Sequence, residues 1–254
     1  MDAKSGFFRN SNFEPFEDCS AIIPLVTIDS EFDGYVFIGT AFYISNTGII
    51  MTAKHNLFRS NGKPFEPLYV IHFEPTGYLF RLITKTFYSE KYDIAYLLPV
   101  EIADENNSKI YNSSLILTDS IPKFDEQLSM YGFPNSRIIR SDGITKIDLQ
   151  CEFFLGKCRD YFLDGFSILK NPCFQTTILI KGGASGGPVF DKLGNVFALC
   201  STGYELDEGE ENISFVTPIS PSFNILLEDG SGNKFTILEL IKKQIIAFKN
   251  NTIA

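Results

Sequence analysis

The chain has 254 residues, 44% of them hydrophobic and 25 of them Phe, enough to build one large domain or two small ones around a substantial core. Its net charge of −9, with no block of Lys and Arg, argues against a partner held through its phosphates, so no nucleic-acid partner is expected. No apolar run approaches the roughly eighteen residues of a membrane-spanning helix, and no membrane partner is expected either.

The opening stretch, "MDAKSGFFRNSNFEPFEDCS", is acidic where a secretory signal has a basic start and an apolar run. Residues 1–19 are read as an N-terminal extension, and the protein is expected to be soluble and cytoplasmic. Cys19, Cys151, Cys158, Cys173 and Cys200 are odd in number, scattered, and without CxxC spacing. They are expected to be reduced, mostly buried thiols, with no metal site, disulfide framework or cofactor.

From about residue 20 the sequence reads as short strands. "YVFIGTAFYIS", "GIIMTAKHNLF", "PLYVIHFEP" and "DIAYLLPV" are rich in β-branched and aromatic residues and are bounded by Gly, Pro, Asn or Asp. They form a first unit over 20–118. A connector over 119–127 leads to a second unit over 128–230, with strands in "QLSMYGFP" and "NVFALCSTG". Hairpin-type turns are signalled by "TG" at 47–48, "DG" at 142–143 and "LGN" at 193–195. Residues 144–175 fit either a structural insertion or a regulatory flap. The acidic run at 205–212 is read first as a solvated loop, and second as a rim for basic residues or a weak Ca²⁺ site. In the last segment, 231–254, "TILELIKKQIIAF" predicts a helix. Thr236 and Glu239 make a capping box, with Ile237, Ile241, Ile245 and Phe248 on one face.

The chemistry concentrates at "KGGASGGPVF", residues 181–190, where one serine sits among four glycines. Glycines allow positive φ and close backbone approach, which is what aims two N–H groups at one point beside a nucleophile's oxygen. Ser185 needs a base to take its proton, and the chain has only two histidines. His72 lies mid-strand among large apolar residues and is read as structural. His55 ends an apolar strand, where an imidazole can be exposed. Asp93, just before the apolar strand "IAYLLP", is the candidate carboxylate to fix the imidazole's tautomer.

The order His55, Asp93, Ser185, carried by "TAKH", "DIAYL" and "GGASGGPV", resembles the trypsin-like (chymotrypsin-fold) serine proteases over roughly residues 20–220. The resemblance implies an all-β protein: two antiparallel six-stranded β-barrels of chymotrypsin type with a C-terminal α-helix. His55 and Asp93 would come from the first barrel and Ser185 from the second. It implies a serine endopeptidase with a polypeptide substrate, in which Gly183 and Ser185 give their N–H groups to the oxyanion. Ala184 stands where secreted digestive members carry an aspartate that pairs with a newly cut N-terminus, and no "IVGG"-like start is present. The chain is therefore more similar to bacterial and intracellular trypsin-like peptidases.

The same resemblance places substrate contacts. "ALCSTG" would pair with substrate backbone, with Ser201 behind Asp93 and Gly203 leaving the pocket mouth open. Leu179 would floor the pocket, Cys200 falls where the glutamate-specific bacterial relatives keep a histidine, and Ser214 and Val216 would form the facing wall. No fixed charge stands among these, so an apolar or small residue is expected before the cut. Two alternatives remain at the level of sequence. One is a proteolytically silent module that binds an extended peptide, and the other is a protease that an activating protein partner switches on.

Overall fold

Strands β1 (Ile22–Asp29), β2 (Gly34–Tyr43), β3 (Ile50–Thr52) and β6 (Ala95–Pro99) carry apolar residues on both faces, and the structure explains why. Side chains alternate sides along a strand. Ile23, Ala41, Tyr43, Ile50, Ala95 and Leu97 fill the interior of a first barrel. Their neighbours Ile22, Phe42, Met51 and Tyr96 point the other way, into a cluster shared with the second barrel. Each such buried side chain contributes about 1.5–3 kcal/mol, so the two barrels are held together by a core of their own. The computed structural model describes residues 20–29, 34–74, 77–103, 107–141, 144–167, 169–204 and 211–250. Cys19, the extension over 1–19, the turn at 142–143 and residues 205–210 of the acidic run lie outside the described residues.

The first barrel is closed in the order β1-β2-β3-β6-β5-β4, with β4 spanning Leu68–Glu74 and β5 Gly77–Tyr88. His72 lies on β4 and is 6% exposed. Its Nδ1 is 3.2 Å from the Tyr43 hydroxyl, which in turn accepts a hydrogen bond from Arg81 at 2.8 Å. Burial first, and the Arg81 charge second, push the His72 pKa down to about 4. It is a neutral interior residue, as its strand position suggested.

The second barrel uses β8 (Gln127–Gly132), β11 (Glu152–Phe162), β12 (Cys173–Thr176), β13 (Pro188–Phe190), β14 (Val196–Tyr204) and β15 (Ile213–Pro218). They run in the order β13-β8-β11-β12-β15-β14, and a β13–β14 pairing closes the ring. Within 144–175 the stretches in β11 and β12 are barrel wall, since these strands bury Phe154, Cys158, Cys173 and Phe174. Ahead of them β9 (Arg137–Ser141) and β10 (Ile144–Asp148) form a separate hairpin. Cys158, Cys173 and Cys200 are free, buried thiols, and Cys151 is exposed. Glu211, the described end of the acidic run, accepts a hydrogen bond from Arg159 Nε at 3.1 Å.

After η2 (Ser220–Ser222), β16 (Leu226–Glu228) and β17 (Lys234–Thr236) form a hairpin. The C-terminal helix α1 then runs only from Ile237 to Lys242. Its capping box forms as expected, with Glu239 N–H donating to Thr236 Oγ1 at 3.2 Å and Thr236 N–H donating to Glu239 Oε2 at 2.7 Å. The longer helix does not form. Gln244 takes φ +59°, and β18 (Phe248–Lys249) pairs in parallel with β7 (Leu117–Thr118), which itself extends the sheet beyond β14. Ile237, Leu240 and Ile246 are the residues buried against the barrels, while Ile245 is exposed.

Candidate active site

His55 and Asp93 are brought together by strand pairing. β3 and β6 are antiparallel neighbours with Thr52 opposite Ala95, so the residues following Thr52 and those preceding Ala95 emerge at the same end of the barrel. There Lys54–Leu57 turns as a 3₁₀ helix (η1) and carries His55. The His55 backbone N–H donates to Asp93 Oδ1 at 3.0 Å, and its ring Nδ1 lies 2.8 Å from Asp93 Oδ2. Both carboxylate oxygens are therefore engaged by one residue, which fixes ring position and tautomer together. The Asp93 side chain is 14% exposed and that of His55 48% exposed, a shielded carboxylate behind an accessible imidazole. Cys200 lies buried near Asp93. Burial, with the Asp93 charge adding to it, drives the Cys200 thiol far above its ordinary range, so it stays protonated.

Ser185 comes from the second barrel, on the loop that leads from β12 into β13. Its Oγ is 2.6 Å from His55 Nε2 and 3.3 Å from the Ser201 carbonyl. The three side chains thus form a continuous hydrogen-bonded chain from Asp93 through His55 to Ser185. In chemical terms a hydroxyl so placed can pass its proton to the imidazole while its oxygen attacks an electrophile.

The loop around Ser185 is held by its carbonyls. A trans peptide points its C=O and N–H in opposite directions, so anchoring a carbonyl aims the next residue's N–H. The Gly182 carbonyl accepts from Asn135 N–H at 2.9 Å, and the Ala184 carbonyl from Gly187 N–H at 3.0 Å. The Gly183 and Ser185 N–H groups are thereby turned away from these anchors. Among the described residues neither has an acceptor, so both are open donors. Gly183 has φ +91°, and a Cβ there would sit 2.7 Å from Phe37 Cε1 and 2.8 Å from the Phe133 carbonyl. Gly186, at φ +81°, is held as closely, because a Cβ would lie 2.4 Å from the Thr40 carbonyl.

Several residues in this arrangement were not picked out in the sequence. Thr40 is fully buried. It donates its hydroxyl to the Gly183 carbonyl at 2.8 Å and its N–H to the Ser185 carbonyl at 2.9 Å. Asn56 Nδ2 also donates to the Ser185 carbonyl, at 3.0 Å. Asn135, at φ +54°, supplies a backbone N–H. These contacts are made by or to main chain, where residue type leaves little signal. Position 184 needs no charge, because Ala184 is fully buried in the apolar cluster of the second barrel.

The expected pocket residues fare differently from the triad. Ser201 turns its hydroxyl to Thr217 Oγ1 at 2.7 Å, not to Asp93. Ser214 is buried and bonded to Thr176 Oγ1 at 2.6 Å, and Val216 and Cys200 are buried in the barrel core. Leu179 packs, partly buried, against the same cluster. Gly203 does not leave an open mouth, since a Cβ built on it would meet Ile180 Cβ at 2.8 Å. An open cleft of about 470 Å³ beside His55 is lined by Tyr92, Asp93, Lys170, Asn171, Ser201 and Thr202 among others. Among the described residues no group of His, Cys, Asp and Glu is placed to hold a metal.

No family model matches the sequence, and no curated protein matches it. Solved structures do. Deg5 is similar with a TM-score of 0.55 at 16% identity, over 80% of this chain and 85% of Deg5. The HtrA-type protease AlgW, solved with a decapeptide, gives 0.55 at 15% identity over 89% of this chain and 64% of AlgW, so the likeness leaves about a third of AlgW unmatched. The Rv3671c protease from M. tuberculosis, in its active form, gives 0.55 at 13% identity over 84% of this chain and 85% of that one. The chain shares the two-barrel trypsin fold of these structures.

Proposed function

We propose that this chain is a serine endopeptidase that cleaves polypeptides through an acyl-enzyme on Ser185. The observation that carries the reading is the unbroken hydrogen-bonded chain from Asp93 to His55 at 2.8 Å and from His55 to Ser185 at 2.6 Å. Ser185 Oγ attacks the scissile carbonyl and His55 Nε2 takes the hydroxyl proton. Asp93 stabilises the imidazolium that results. The N–H groups of Gly183 and Ser185 meet the charge that develops on the carbonyl oxygen, which is where the largest single share of catalysis is expected. His55 then returns the proton to the leaving amine. Water, deprotonated in turn by His55, releases the acyl group. No metal or cofactor enters this sequence of steps.

The anchored loop favours a site that is competent without an activating partner. Gly182, Gly183, Ala184 and Ser185 each have a carbonyl held within the chain itself. A binding module needs the cleft but has no use for the two open donors. Substrate contacts are assigned to Ser201 and Gly203 through their backbone and to Leu179 on the acyl side, with the buried Cys200, Ser214 and Val216 backing the site from the barrel core and an apolar or small residue before the cut. Work in the cytoplasm suits the buried, unbridged Cys158, Cys173 and Cys200.

Labelling with a fluorophosphonate probe, with the adduct located by mass spectrometry, tests the reading. A native-state adduct on Ser185, absent after heat denaturation and absent in Ser185→Ala, is the expected result. Well-folded protein that takes up no probe would leave the silent-module reading in its place.

A further inference from the structure

An acyl-enzyme on Ser185 carries the substrate residue whose carbonyl was attacked, and that residue's side chain must find room beside the loop. Two walls flank Ser185 there. One is residues 178–183, leading into the loop. The other is the stretch of β14 whose Ser201 carbonyl lies 3.3 Å from Ser185 Oγ. The loop is stitched to this strand, since Gly186 N–H donates to the Cys200 carbonyl at 2.8 Å and Cys200 N–H to the Gly187 carbonyl at 2.9 Å.

The two walls touch. A Cβ on Gly203 would stand 2.8 Å from Ile180 Cβ and 3.2 Å from the Ile180 carbonyl oxygen, well inside the roughly 3.5–4 Å at which packed carbon atoms sit. Beneath them Ile178, Ala184, Cys200 and Val216 are completely buried, and Ile180 packs against their cluster. The residue that meets Gly203 is Ile180, next to the Leu179 expected as the pocket floor.

We propose that Ile180 sets the specificity of this site by filling the slot between residues 178–183 and β14, so that bonds are cut after glycine or alanine and larger side chains are turned away. The inference rests on the acyl-enzyme reading of Ser185. Its physical basis is close packing. A larger side chain must force Ile180 away from Gly203 or distort the barrel core below, and overfilling a packed interior is costly. One methylene in an apolar pocket already separates substrates by roughly 10–200-fold.

The test uses N-acetyl p-nitrophenyl esters of Gly, Ala, Val, Leu and Phe on the full chain, with Ser185→Ala as background. Small activated esters report the acyl-side slot without requiring a long substrate. In the wild type the Gly and Ala esters should acylate Ser185 at least about tenfold faster than the Leu and Phe esters. Ile180→Gly should shrink or invert that ratio. Ile180→Ala, a smaller change, reads the same ratio if the glycine variant does not fold. Wild-type acylation by the Leu or Phe ester as fast as by the Ala ester overturns the proposal, and so does an Ile180→Gly preference identical to that of the wild type. Fluorophosphonate labelling runs alongside. An adduct on Ser185 without size selection sinks the role of Ile180 alone, whereas no adduct and no ester turnover sinks the nucleophile, and the specificity proposal with it.

Discussion

Thr40 donates its hydroxyl to the carbonyl of Gly183 across the barrel interface at 2.8 Å, from a position 143 residues earlier in the chain. Thr40 Oγ1 also accepts the Phe133 N–H at 3.1 Å, and the Thr40 N–H holds the Ser185 carbonyl at 2.9 Å. One first-barrel residue thereby fixes both ends of the segment that carries the open N–H donors, the Gly183 end through its side chain and the Ser185 end through its backbone. Thr40→Val keeps the shape and removes the hydroxyl. It should lower kcat by roughly 10–100-fold, somewhat less than the 10²–10³ of losing a donor outright, with a much smaller change in KM. Thr40→Ser should restore most of the loss. Equal losses of kcat in the Val and Ser variants, or a change in KM alone, would assign Thr40 to packing only.

Asp93 holds His55 twice, through the ring at 2.8 Å and through the backbone N–H at 3.0 Å. Asp93→Asn keeps one acceptor but puts an NH₂ against a group that must donate, and so favours the wrong tautomer. In the Ser-His-Asp template such a change costs about 10⁴ in kcat, and a loss of that order is expected here at neutral pH. Steady-state kinetics on the ester that the wild type turns over fastest would check it. A variant within tenfold of the wild type would mean that Asp93 does not orient the imidazole.

The three side chains of this chain of hydrogen bonds were legible because their types are scarce and their settings distinctive. Two histidines leave little choice, and only one of them stands just past the end of an apolar strand. The glycines around Ser185 have a reason that a sequence can show, since Gly183 and Gly186 do adopt positive φ. Thr40 and Asn135 were not legible, because each works through contacts to main chain that many residue types could make in some fold. The C-terminal helix was overextended for a related reason. Ile237, Ile241, Ile245 and Phe248 keep helical spacing, but Phe248 lies opposite Leu117 in a parallel strand pair that only the folded chain brings together. Ile180 carries no mark in the sequence, because its approach to Gly203 exists only once residues 178–183 pack against β14.

Gly186 is where the loop leaves least room. Its φ is +81°, and a Cβ would fall 2.3 Å from Thr52 Oγ1, 2.4 Å from the Thr40 carbonyl and 2.7 Å from Asn56 Nδ2. Gly186→Ala combines a left-handed backbone cost with overpacking of a buried polar network, about 3 kcal/mol or more together. Gly230 has open space within 4 Å and no positive φ, so Gly230→Ala should shift stability by less than about 0.5 kcal/mol. Urea unfolding of both variants beside the wild type provides the comparison. Similar midpoints for the two would show that the loop can relax around a methyl group.

The buried His72 ties stability to pH. Its folded pKa is about 4 against an ordinary 6.5, because burial and the nearby Arg81 charge both disfavour the imidazolium. Between these values the unfolded chain binds a proton that the folded chain does not. Stability therefore falls as pH drops through the window from 6.5 to 4, by up to about 3 kcal/mol from this one group. His72→Asn cannot titrate but can still accept from the Tyr43 hydroxyl, which in the wild type lies 3.2 Å from His72 Nδ1. It should start less stable at pH 7.5, because the smaller side chain leaves a gap in the barrel, and should then lose less stability on acidification. Urea unfolding at pH 7.5, 6, 5 and 4.5 gives the two slopes, and taking their difference removes carboxylates common to both proteins. Parallel slopes would mean that His72 is already protonated in the fold, with its charge accommodated beside Arg81.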